Sequence, residues 1–142
     1  MRYLTTIVAA LALAGCSMGQ DVGNAGQGVD TFHTQLNAGQ FSTILDNAGP
    51  ELKADQQAML GLLQQIHDRL GAVKSSTRTG FEDNINNGVH TVNLTYTTVF
   101  ERGQGTEKFV FQLNNGAVKL IGYQIDAPAA PAAPAPSGSP SV

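Results

Sequence analysis

The sequence predicts an α+β fold: two to three N-terminal helices packed on a four-stranded antiparallel sheet. Three observations carry this. Apolar residues in the first half recur at helical spacing. Those in the second half alternate. The two patterns do not intermix, and helices followed by strands place the helices on one face of an antiparallel sheet. A chain of 142 residues holds one ordinary domain.

Val29, Phe32 and Leu36 form one helical stripe, with Asp30 near its start and Gly39 near its end. Phe41, Ile44 and Leu45 mark a second short helix over Gln40 to Ala48, broken by Gly49-Pro50. Asp55 is the expected N-cap of a third helix. Its apolar face is Met59, Leu60, Leu63, Ile66 and Leu70, and Gly71 follows as its stop. Val73 to Asn84 is polar and reads as an edge strand. Val92, Leu94, Tyr96, Thr98 and Phe100 alternate strictly, as in a half-buried antiparallel strand. Gly103-Gln104-Gly105 reads as a turn. Phe109, Phe111 and Leu113 alternate again, and Asn115-Gly116 signals a hairpin. In the last strand Val118 and Leu120 share one phase and Ile121, Tyr123 and Ile125 the other. That phase change predicts a β-bulge at Leu120-Ile121-Gly122.

Both ends read as non-globular. Met1-Arg2 is a short positive start, and Tyr3 to Ala14 is apolar apart from Thr5 and Thr6. This run suits a signal peptide and is too short to span a membrane. It ends in Leu13-Ala14-Gly15-Cys16, and Cys16 is the only cysteine of the chain. The pattern resembles the lipobox of bacterial lipoproteins. That resemblance implies cleavage between Gly15 and Cys16, lipid on the Cys16 sulfur and acylation of its amine. Two or three acyl chains anchor a protein stably, at ~0.8 kcal/mol per buried CH₂. Residue 17 is Ser rather than Asp, which by the same resemblance favours the periplasmic face of the outer membrane. Residues 16–28 are small, polar and Gly-rich, and read as a flexible tether. Residues 127–142 hold five of the six prolines and read as a disordered Ala/Pro-rich tail. The folded domain is therefore expected over residues 29–126.

Across residues 30–126, the segments Asn37-Ala38-Gly39-Gln40-Phe41, Tyr96-Thr97-Thr98 and Leu120-Ile121-Gly122-Tyr123 carry a further resemblance, with Phe32, Phe100-Glu101 and Glu107-Lys108-Phe109. They are similar to a family of small uncharacterised bacterial lipoproteins with a cystatin-like, or nuclear-transport-factor-2-like, domain. The resemblance implies a curved sheet whose hollow receives the helices. It implies no activity, since that superfamily hosts enzymes, binders and structural domains.

Composition and motifs exclude several classes. With 8 Lys+Arg against 11 Asp+Glu the net charge is −3, so no basic surface points to nucleic acid. A single cysteine excludes an internal disulfide framework. His33, His67 and His90 show no metal-ligand spacing, so no metal or other cofactor is expected. Asp46, Asp83 and Glu101 are carboxylates whose convergence sequence cannot show. No nucleophile elbow is present, and no catalytic residue is assigned. Tyr96, Phe100, Phe109, Phe111 and Tyr123 form the one promising constellation, as lining of a ligand hollow or as plain core. The expected function is that of a non-enzymatic interaction module, held to the membrane by its N-terminal lipid and facing an envelope partner. The alternative is a small-molecule binder or minor enzyme using the hollow.

Overall fold

The computed structural model describes residues 17–128. The expected signal peptide, the expected cleavage junction at Gly15–Cys16 and residues 129–142 of the expected tail lie outside the described residues. Four helices precede four strands: α1 (Ser17–Asn37), α2 (Phe41–Asn47), α3 (Pro50–Lys53), α4 (Gln56–Leu70), β1 (Val73–Asn86), β2 (Val89–Phe100), β3 (Gly103–Asn114) and β4 (Ala117–Asp126). The strands form one antiparallel meander in the order β1-β2-β3-β4, with the helices packed against it. The α+β class and the four-stranded sheet are as the patterning predicts.

The expected tether is instead helix. Residues 17–28 form the first half of α1, where Val22 and Ala25 are buried in the core. They continue the stripe of Val29, Phe32 and Leu36 backwards at alternating steps of three and four, so one apolar seam runs along the helix. The folded unit thus begins well before residue 29, and Asp30 is an interior residue of α1 rather than its start. At the other end Ala127 packs against the core, one residue beyond the expected boundary.

Gly49-Pro50 ends α2 and also opens α3, a single turn with Pro50 at its first helical position. The Gly49 N–H donates to the Leu120 carbonyl at 2.8 Å, which ties α3 to β4. Asp55 does stand at the N-cap of α4, but its side chain makes no capping bond. The C-terminus of α4 is closed by the β2–β3 turn, which is Glu101-Arg102 and not Gly103-Gln104-Gly105. Phe100 pairs with Gly103, so both glycines belong to β3. The Arg102 guanidinium donates to the carbonyls of Arg69 at 3.0 Å and Asp68 at 2.6 Å. A cation there also opposes the negative end of the helix dipole.

Asn115-Gly116 forms the expected β3–β4 turn, with φ of 49° and 80°. Asn87-Gly88 repeats it between β1 and β2, with φ of 51° and 78°. Positive φ at both positions is what a tight hairpin demands. The expected bulge in β4 is present: Val110 pairs with Gly122 and Phe111 with Leu120, leaving Ile121 unpaired. The extra residue brings Leu120 and Tyr123 onto the same buried face.

Candidate functional site

All five rings of the expected hollow are buried: Tyr96, Phe100, Phe109, Phe111 and Tyr123. Helix α1 fills the space in front of them. Phe32 meets Phe109 edge-on at 5.2 Å between centroids and Tyr123 at 4.7 Å. Phe109 stacks with Phe111 at 6.1 Å and meets Tyr96 edge-on at 6.0 Å. Phe100 is buried at the end of β2, outside this cluster. The five rings are therefore part of the packed core, with Phe32 of α1 seated on Phe109 and Tyr123.

Inside that core lies a polar network that the sequence reading missed. Glu107 of β3 is fully buried. Its Oε2 accepts from the Thr98 hydroxyl at 2.5 Å and lies 2.7 Å from His33 Nε2. Its Oε1 accepts from the Tyr123 hydroxyl at 2.7 Å. Both carboxylate oxygens are thus paired, which a buried carboxyl requires. Burial, and then the facing Glu107 carboxylate, push the Tyr123 phenol well above its ordinary pKa. The four side chains come from α1, β2, β3 and β4, so the network fastens the helix to three strands. A signal did exist in the sequence, because Glu107 shares the parity of Phe109 and Phe111. His33 adjoins Phe32, whose place on the apolar seam turns it inward.

A second cluster joins residues that the sequence reading left apart. Asp21 of α1, Asp83 of β1 and His90 of β2 place one ligand atom each within 4.8 Å of one another. His90 Nε2 lies 2.6 Å from Asp83 Oδ1. The other carboxylates considered do not join it. Asp46 is exposed on α2. Glu101 accepts the Ala72 N–H at 3.0 Å, and that bond holds its carboxyl below the usual range. His67 flanks α4 and meets the Phe41 ring edge-on at 5.7 Å.

The two edges of the sheet differ. β4 is tied to α3. On β1, the Asn37 side chain imitates a strand at the start, accepting the Val73 N–H at 2.7 Å and donating to the Val73 carbonyl at 3.3 Å. Register shifts follow between Val73 and Ser75 and between Arg78 and Gly80. Beyond them Gly80 to Asn86 runs regularly, with Phe81 53% and Ile85 74% exposed. An open depression of about 620 Å³ lies over the sheet, lined by polar Glu82, Asn93, Thr95, Lys108 and Gln124 together with Phe81, Phe109, Tyr123 and Leu52 of α3. No helix among the described residues is long and apolar enough to cross a membrane.

No protein-family model matches this chain, and no curated protein matches it in sequence. The chemistry of the site must therefore be read from its own residues.

Proposed function

We propose that this protein is lipid-anchored in the bacterial envelope, at the periplasmic face of the outer membrane, and that its domain is a non-enzymatic interaction module of the cystatin-like kind. The observation that carries the reading is the contrast between a filled hollow and an open edge. Phe109 is fully buried in the packed core, whereas Phe81 and Ile85 are exposed on β1, whose outer edge has no strand beside it among the described residues. Large apolar side chains on a free strand edge favour pairing with a strand of another protein. The bulges and the Asn37 clamp protect the first half of β1, so the second half is the interacting part. The lipid anchor is supported by the lone Cys16 after Leu13-Ala14-Gly15.

Photo-crosslinking in intact cells tests the reading. A photoreactive residue at Phe81 or Ile85 should capture one discrete envelope protein, and one at Lys119 should not. Absence of any adduct at both β1 positions would remove the interaction-module reading. The alternative, a small-molecule site, draws on the Glu107 network as a polar floor. It would require a ligand to displace Phe32 from Phe109 and Tyr123.

A further inference from the structure

The cluster of Asp21, Asp83 and His90 has a charge pattern that calls for a cation. Asp83 and His90 sit on adjacent strands, and Asp21 reaches them from the first turns of α1, where buried Val22 fixes the orientation. The Asp83 side chain is 11% exposed and that of His90 23%, so water screens the group only in part. Among the described residues, no Lys or Arg forms a salt bridge with Asp21 or Asp83. His90 thus pairs with Asp83 while the Asp21 carboxylate stands within 4.8 Å in a half-dry niche, and the repulsion between the two carboxylates is a cost. Protonated His90 offsets one carboxylate at most. A divalent ion offsets both.

We propose that Asp21, Asp83 and His90 bind a borderline divalent cation of the Zn²⁺ class, which fastens the start of α1 to the β1–β2 hairpin. The donor set selects the ion. Two carboxylate oxygens and one imidazole nitrogen suit Zn²⁺ with a water completing its coordination. Ca²⁺ and Mg²⁺ prefer oxygen alone. Binding would replace the short His90–Asp83 hydrogen bond by two bonds to the metal. The proposal does not depend on the lipid anchor or on the partner at β1.

The test uses the full chain, purified in detergent without an affinity tag, and ZnCl₂ as the sole ligand. Equilibrium dialysis should find one Zn²⁺ per chain, and Zn²⁺ should raise the thermal midpoint, because a ligand bound only by the fold stabilises it. Asp83→Asn and His90→Gln should each weaken binding at least about tenfold, the smaller loss known for merely supporting partners. Asp21→Asn, in a partly exposed turn, should do the same with an unchanged circular dichroism spectrum, which covers failure of the other two to fold. His67→Gln, at the exposed His67–Asp68 pair, should leave binding intact. Affinity weaker than about 1 mM, binding that survives all three cluster substitutions, or loss of binding in His67→Gln alone would overturn the proposal. So would an equal rise in midpoint with Ca²⁺ or Mg²⁺.

Discussion

Gly28 of α1 lies directly against the ring of Phe111 on β3: a Cβ at Gly28 would sit 2.8 Å from the nearest ring carbon. The ring is 3% exposed and stacked on Phe109, so it cannot easily yield. Gly28→Ala should gain up to ~1 kcal/mol of helix propensity and lose ~1–3 kcal/mol to overpacking, for a net loss of stability. Gly23 is exposed, and a Cβ there meets nothing within 4 Å. Gly23→Ala should therefore stabilise, by roughly 0.5–1 kcal/mol. Urea denaturation of the two variants gives opposite signs if α1 packs closely at Gly28, and equal gains if it does not.

Phe109 and Phe111 are both core, and Thr97 is half-buried on the opposite face of the sheet. Phe109→Ala and Phe111→Ala should each cost ~3–5 kcal/mol. Thr97→Ala should stay within about 1 kcal/mol. Comparable losses at Thr97 and Phe111 would be incompatible with this register.

The Tyr123 hydroxyl satisfies Glu107 Oε1 in a dry core. Tyr123→Phe should cost ~1–3 kcal/mol at neutral pH, because it leaves that oxygen unpaired. The raised phenol pKa adds a pH signature. The fold keeps this proton after the unfolded chain, titrating near pH ~10, has released it. Stability from Tyr123 is therefore complete below about pH 10 and falls as pH rises through the folded value. Denaturation midpoints across that range should decline less steeply in Tyr123→Phe than in the parent. An unchanged alkaline slope would place the phenol in water.

Cys16→Ala removes the chain's only thiol. The variant should lose labelling by radioactive palmitate, and either stall as an uncleaved precursor or leave the membrane fraction. The parent should take up the label and partition into detergent. A parent chain that is cleaved, unlabelled and absent from membranes would refute the anchor.

Strict alternation made β2, β3 and the β4 bulge legible in the sequence, because one face of each strand is buried. The long stripe of α4 was legible for the same reason at helical period. The first half of α1 was not. Gly19, Gly23, Gly26 and Gly28 lower helix propensity and suggested a tether, although Val22 and Ala25 continued the stripe. Local propensity there yields to tertiary packing, and Gly28 marks a close approach of the helix to the sheet. α3 is one turn long, too short for any period to register. The Glu107 network was half legible, through the parity of Glu107. Asp21, Asp83 and His90 carried no spacing signal, since their meeting depends wholly on how α1 lies against the hairpin.

The bond between His33 and Glu107 joins residues 74 positions apart. Phe32 and Gly28 likewise find their partners on β3 and β4. The sheet is a meander of sequence neighbours and can zip locally, whereas the helix made first must await strands made last. A glycine-rich segment of low intrinsic helicity has little reason to hold its shape until then. Helix formation in α1 is thus expected to couple to its docking, and closure of that long loop is the step expected to be slow. During synthesis α1 would remain unformed until β3 and β4 have emerged. Loss of the final strand would release the opposite end of the molecule.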